Sequence, residues 1–441
     1  MMNADVQNRR AIFWICVLAL FTAAISFSIR TGASGAIKGA LLDPAIPLHS
    51  GEMIAAALGY SFLGFALSLL VISPLLDVIG AKRVVLLAAA CFVVGPILII
   101  ASPMGGDIDG VYAILTAGMI VSGVGWGATE ASINPVVAAL YSDEKTGKLN
   151  ILHAWWPAGI VVGGLASLLF FQQLDLSWQA LIALIPISGV VFGAWALTQR
   201  FPKTESTAMG VPFKEMLAEP FKRPSFWIFP AIMFLTASAE LAPGSWVDVA
   251  LTQTVGMPGI VVLIYVSAIM FIMRHFAGAL EHRVSDMGLL CLCTLPAAVG
   301  LYLLSWASSP VTAIFAATLW ALGVCFMWPT MLAAVARRYP RGGPWSIGIL
   351  GFAGAMAIYL VLPQIGKIYD AAKLDAAGGE QAFSALGAGP EMQRVLAHAA
   401  QQSFQVIAII PLILFVIFGA VWFLERRSRL NAVARDAAPA E

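Results

Sequence analysis

The sequence predicts an all-α integral membrane protein, with twelve transmembrane helices in two pseudo-symmetric six-helix bundles. Three observations predict it. Hydrophobic residues make up 60% of the 441 residues and charged residues only 11%, whereas a soluble domain carries about 25% charge. Apolar runs long enough to cross a hydrocarbon core of roughly 30 Å occur twelve times. A polar segment at 200–224, RFPKTESTAMGVPFKEMLAEPFKRP, separates six of these runs from the other six.

At a rise of about 1.5 Å per residue, a span needs about 20 apolar residues. The runs fall at 11–38, 51–73, 84–102, 110–140, 150–172, 178–199, 225–252, 259–281, 288–307, 311–336, 345–369 and 403–424. The first follows Arg9 and Arg10, outlasts a signal-peptide core and ends without a small-residue cleavage site, so it reads as a retained span. An even number of spans puts both termini on one side. Nineteen lysines and arginines lie in segments on that side and four on the other. The positive-inside rule then places both termini in the cytoplasm of a bacterial inner membrane.

The expected division is 1–199 as the N-terminal bundle, 200–224 as a cytoplasmic linker carrying a short amphipathic helix, and 225–441 as the C-terminal bundle with a short cytoplasmic tail. The segment 370–402 reads as the one long loop on the opposite side, with Pro390 starting a short helix into the last span. A net charge of +1 implies no nucleic-acid partner. Cys16, Cys91, Cys291, Cys293 and Cys325 all lie in apolar runs without zinc-ligand spacing, and read as buried small hydrophobes. No metal or other cofactor is expected. The chain holds no HExxH, GxSxG or phosphate-binding loop, so a membrane enzyme is not the reading.

Charges at membrane depth are costly and default to function. Glu130 lies deep in the fourth run, with Asn134-Pro135 one turn on. Helical spacing puts Trp126, Glu130 and Asn134 on one stripe. The fifth run opens with His153, Trp155, Trp156 and Pro157. Glu240 lies in the seventh run, where Pro243-Gly244 is a candidate break. Arg30 and Arg274 are the two cations inside spans. Arg30 either snorkels to the headgroups or clamps a solute oxygen through its planar fork. Trp126, Trp156, Trp246, Trp320 and Trp328 fall well inside spans, where they serve as packing or offer faces to a sugar ring.

The two halves echo each other. The loop after the second run, SPLLDVIGAKR at 73–83, aligns with GALEHRVSD at 278–286, pairing Asp77 with His282 and Gly80 with Ser285 at the same offset. Asn134-Pro135 in the fourth span pairs more weakly with Trp328-Pro329 in the tenth. Repeats on this scale mark secondary transporters.

Asp77, Gly80, Lys82 and Arg83 resemble the cytoplasmic loop motif of the major facilitator superfamily, Gly-x-x-x-Asp-Arg-x-Gly-Arg-Arg. Ser73 stands for its first glycine and Val78 for its first arginine. Glu130-x-x-x-Asn134-Pro135, a short loop and Leu149-Asn150 resemble the fucose–proton symporter group of that superfamily. Ala239-Glu240 with Trp246, and Arg274-x-x-x-Gly278-x-x-x-x-Arg283, fit the same group. The sequence departs from it in lacking a first-span aspartate, and in carrying His153 and Trp156 where the sugar symporters carry amides.

The resemblance implies the major facilitator fold and alternating access, with a sugar or related polyhydroxylated solute as cargo and H+ or Na+ as the coupling ion. It also implies a monomer in the lipid bilayer. The substrate-binding candidates are Trp126, Glu130, Asn134, Trp156, Glu240, Arg30, Trp246 and Tyr359, with Gln364 behind them. The proton-coupling candidates are Glu130, Glu240 and His153. The conformational latch is expected at Asp77, Gly80, Lys82, Arg83, Arg274 and Arg283. The alternatives are an organic anion clamped by Arg30 and a non-transporting solute sensor on the same frame. Glu130 and Glu240 also have a bland reading, as structural partners of the buried arginines.

Overall fold

The computed structural model describes residues 2–141, 145–202, 212–252, 254–276, 280, 283–387 and 389–436, with backbone alone at 2–7, 77, 138, 145–147, 149–150, 333, 336–337, 340 and 428–436. Among the described residues the regular structure is entirely helical. Eleven helices are long and apolar enough to cross a membrane: Asn8–Leu42, Ser50–Leu76, Ala81–Gly105, Ile108–Val137, Ile151–Gln173, Trp178–Leu197, Pro224–Leu251, Asp286–Ser305, Pro310–Leu332, Gly343–Ala377 and Pro390–Arg427. The shorter apolar helix Ile260–Arg274 lies between the seventh and the next of these, and is the eighth span. Its 15 residues rise only about 22 Å, and 277–279 beyond it are outside the described residues. Lipid-facing surface takes the place of a polar shell: Val311 is 79% and Val416 69% exposed.

The first six spans pack among themselves, fourth on second and third, first on fifth. The last six do likewise, ninth on tenth and twelfth, seventh on eleventh. Between the sets, the second span lies along the eleventh, the fifth along the eighth and the first against the seventh. Glycines let backbones approach where the polar core needs it. A Cβ at Gly123 of the fourth span would land on the Ser61 carbonyl of the second.

Two expectations change. The segment 370–402 is largely helical, because the eleventh span runs on to Ala377, Glu380–Ala385 adds a short helix, and the last helix begins at Pro390. The seventh span does not break at Pro243-Gly244, since the helix Ile228–Leu251 runs through both. The break lies in the tenth span instead, where one helix ends at Val324 and the next begins at Met327. The amphipathic linker helix is Phe213–Lys222, while Lys203 and the rest of 203–211 lie outside the described residues.

The aligned loops share backbone geometry. Gly80, which precedes the third span, has φ +89°, and Ser285, which precedes the ninth, has φ +70°. Glycine takes that region freely. Ser285 occupies it while its hydroxyl accepts the Gly288 N–H at 3.3 Å, capping the ninth span.

Candidate functional site

The stripe on the fourth span becomes a polar chain. Asn134 Nδ2 donates to Glu130 Oε2 at 3.1 Å and to the Glu130 carbonyl at 3.1 Å. Asn134 Oδ1 lies 2.9 Å from His153 Nε2 on the fifth span. An amide oxygen only accepts, so Nε2 carries the proton and Nδ1 of the neutral ring is left as acceptor. Asn134 thus bridges an acid and an imidazole on neighbouring spans. Glu130 and His153 are half-buried.

The facing half supplies a second polar group, built on the break in the tenth span. Pro329 has no N–H to donate to the carbonyl four residues back, that of Cys325. Arg274 Nε takes that carbonyl at 3.1 Å. Arg274 Nη2 also pairs with Glu240 Oε1 at 3.4 Å. Glu240 Oε2 in turn accepts the Trp328 N–H at 3.2 Å, at the start of the helix Met327–Arg338. A carboxylate on a helix N-terminus and a guanidinium on the preceding C-terminal carbonyl each meet the favourable end of a helix dipole. Arg274 was expected in the loop latch, and this is a correction: it straps the helix break. His153 lies within electrostatic reach of both Glu130 and Arg274, so the two polar groups face each other across the halves.

An aromatic row runs beside them. Trp156 stacks on Trp126 with ring centres 4.6 Å apart, Trp126 on Phe65 at 4.2 Å, and Phe65 approaches Trp328 at 6.4 Å. Both faces of Trp126 are therefore covered, which corrects the expectation that it offers a face to a sugar ring. Its indole N–H is buried without a hydrogen-bond partner. Trp328, at the end of the row, is half-buried.

Other candidates lie apart. Trp246 is fully buried, donates to Ser403 Oγ of the last span at 3.3 Å and packs edge-on to Tyr369. It is core of the second half, which corrects its expected place among the substrate-binding residues. Tyr359 meets Tyr60 across the seam of the second and eleventh spans. Gln364 is exposed on the surface of its span. Arg30 is 2% exposed, which excludes snorkelling. It donates to the Ser26 carbonyl at 3.0 Å and approaches Met119 Sδ at 3.7 Å, and among the described residues it has no carboxylate partner. Met119 lies two turns from Trp126 on the same face of the fourth span.

Of the expected latch, Lys82 holds the end of the sixth span through the carbonyls of Leu197 at 2.6 Å and Gln199 at 3.0 Å. Arg83 bonds the Ile79 carbonyl, Gly80 forms the turn, and Arg283 is exposed. The Asp77 and Asn150 side chains, and Gly278 and His282, lie outside the described residues. No group of three or more His, Cys, Asp or Glu comes together among the described residues to hold a metal.

Sequence reasoning missed the closure at the end where the first and second spans join. Asp248 Oδ2, on the seventh span, accepts the Gly35 N–H of the first at 3.1 Å. Asp370 Oδ2, on the eleventh, accepts the Glu52 N–H in the first turn of the second at 2.8 Å. Lys373 pairs with Asp370 at 2.7 Å and donates to the Pro47 carbonyl at 3.1 Å. These side chains grip backbone of the other half, so a search for complementary charges in sequence does not find them. The available signal was that Asp248 lies inside an apolar run.

Twelve spans in two facing sets, with polar groups meeting between them, match a known architecture. The model of the Major Facilitator Superfamily matches residues 16–361. The chain belongs to the major facilitator superfamily. As a member it is a membrane transporter of small molecules, not an enzyme. Solved structures agree in fold. A D-xylose–proton symporter superposes with TM-score 0.72 at 13% identity, covering 92% of this chain and 97% of that one. A bacterial homologue of the human lysosomal transporter Spinster, in an inward-facing unoccupied conformation, gives 0.72 at 15% identity over 96% and 98%. The nucleoside transporter NupG, in a mutant form, gives 0.66 at 11% identity over 93% and 99%. No curated protein sequence matches the chain.

Proposed function

We propose that the protein is a secondary active transporter for a sugar or related polyhydroxylated solute. It works by alternating access and couples cargo to H+ through Glu130, Asn134 and His153. The carrying observation is the continuous Glu130–Asn134–His153 chain facing the Glu240–Arg274 pair. Glu240 has its charge balanced by Arg274, which leaves Glu130 and His153 to load and release a proton. The ring nitrogen and the carboxylate can each take a proton, and Asn134, an amide that neither gains nor loses one, holds the two groups in place. Half-buried Trp328 and the carboxylate of half-buried Glu130 supply the mix of apolar and hydrogen-bonding surface that a ring with hydroxyls requires. The segments 1–199 and 225–441 rock about this site, with 200–224 as the linker between them. The protein acts as a monomer in a bacterial inner membrane, its termini cytoplasmic.

Uptake into proteoliposomes with a sugar panel, under imposed pH or Na+ gradients, tests this. Glu130→Gln should abolish gradient-driven accumulation and leave exchange. Unchanged accumulation in that variant removes Glu130 from coupling, and a response to Na+ alone replaces the ion. The second reading, an organic anion, is favoured by one observation, the buried Arg30 without a carboxylate partner among the described residues. On that reading Arg30→Gln weakens anion uptake selectively, and equal loss for neutral cargo assigns Arg30 to structure. Ligand binding without flux makes the protein a sensor.

A further inference from the structure

A cavity of about 460 Å³ lies at the closed end, between the halves, lined among others by Gly35, Lys38, Asp43, Asp248, Thr252 and Tyr369. Asp248 is the one acid lining it with no cation among the described residues. Lys38 is committed to Asp43, at 2.8 Å. Asp248 takes only neutral donors: the Gly35 N–H at 3.1 Å across the halves and the Thr252 hydroxyl at 3.3 Å on its own helix. No cation lies within ion-pair distance of it among the described residues, and it is 8% exposed. The fit to the first span is close, because a Cβ at Gly35 would stand 2.8 Å from Oδ2.

We propose that Asp248 is a proton site at the interface of the first and seventh spans, and that its protonation releases the closed end. Resting on the alternating-access reading, this gives the chain an acid at its first span, delivered from the opposite half. Ionised, Asp248 makes a charge-assisted bond to Gly35, about twice as strong as a neutral one. A proton from water in the cavity adds to the carboxylate, the charge is lost, and the Gly35 N–H keeps only a neutral acceptor. The second contact across this end behaves differently, since Asp370 is held by Lys373 and keeps its charge partner.

The groups facing Asp248 are few. The first span brings Lys38 with Asp43, the eleventh Tyr369, the fifth the neutral Gln172, and the last only Leu396. His49, exposed at the start of the second span, does not line this cavity.

Spin labels on Ala40→Cys and Met257→Cys, one on each half at this end, read the opening in solute-free protein. The native cysteines are all buried. From pH 8 to pH 5 the separated population should rise about fivefold, the difference between a charge-assisted and a neutral bond. Asp248→Asn should be separated at both pH values. His49→Gln and Asp370→Asn should keep the pH response. The proposal is overturned by no response in the unsubstituted labelled protein, by a response that survives Asp248→Asn, by a closed Asp248→Asn at both pH values, or by loss of the response in His49→Gln. The titration of the unsubstituted labelled protein needs no gate variant, so a misfolded Asp248→Asn does not decide the outcome. No solute is present, so the cargo and coupling assignments can fail while this one stands.

Discussion

Replacing Arg274 by methionine removes a guanidinium that holds the Cys325 carbonyl at the break in the tenth span and pairs with Glu240, the acid that takes the Trp328 N–H on the other side of it. The Arg274–Glu240 pair is 3.4 Å apart with side chains 11% and 4% exposed, so solvent screens it little. At an effective dielectric of about 20, charges at that distance attract by about 5 kcal/mol. The net value of the intact pair is smaller, because both ions lose hydration. Removing one partner leaves the other buried alone, and costs about 3–5 kcal/mol. Methionine preserves most of the volume, so little of that cost is cavity. The freed Cys325 carbonyl adds about 1 kcal/mol.

The companion change Glu240→Gln keeps an acceptor for the Trp328 N–H. The double variant should therefore be more stable than Arg274→Met alone by about 2 kcal/mol. Denaturant unfolding in detergent, followed by a thiol-reactive dye, reads this directly, since all five cysteines are buried. Single costs that add to within about 0.5 kcal/mol would refute the reasoning, because an ion pair that matters cannot be removed additively.

Other substitutions test the remaining contacts. Asn134→Ala cuts the bridge between Glu130 and His153, and proton-driven accumulation should fall about tenfold, the loss of one orienting hydrogen bond of about 1.4 kcal/mol, while counterflow persists. Trp126→Ala, with stacked rings on both faces, should destabilise by about 3–5 kcal/mol, while Trp126→Phe should stay within about 1.5 kcal/mol, as measured by thermal unfolding. Gly123→Ala forces a methyl onto the Ser61 carbonyl; a cost above about 2 kcal/mol is expected, and near-parental unfolding would show that the second and fourth spans can separate freely. Asp370→Ala leaves Lys373 buried without its acid and should cost about 3–5 kcal/mol, whereas Asp370→Ala/Lys373→Met should recover part of it.

Parts of the site were legible in sequence and parts were not, for a definite reason. Trp126, Glu130 and Asn134 share one helix, and a period of 3.6 residues places them on one stripe without knowledge of any neighbour. His153 joins them from the next span, thirteen residues beyond the end of the fourth-span helix at Leu140. The Glu240–Arg274 pairing was one of several open pairings. Its geometry depends on Pro329, whose missing hydrogen bond frees a carbonyl on a third helix. Pro243 lies in an unbroken helix, and Pro135 does too. A proline in the sequence therefore does not announce a break. The surrounding packing decides whether the freed carbonyl opens the helix.

The spans themselves were a local matter. A run of about 20 apolar residues has one low-energy home in a bilayer, and its backbone satisfies itself as a helix. Residue order therefore sufficed for twelve spans, for the six-and-six division and for the echo of Gly80 in Ser285. The closure of the halves was decided only in three dimensions. Gly35 and Asp248 are 213 residues apart and Glu52 and Asp370 are 318 apart. Each pair joins a side chain to a backbone N–H that every residue but proline possesses. Such a donor carries no signature in sequence. Its partner is chosen by how the two sets of helices pack, and that packing turns a scatter of membrane acids into a paired strap and a set of contacts that join the two sets of spans at one end.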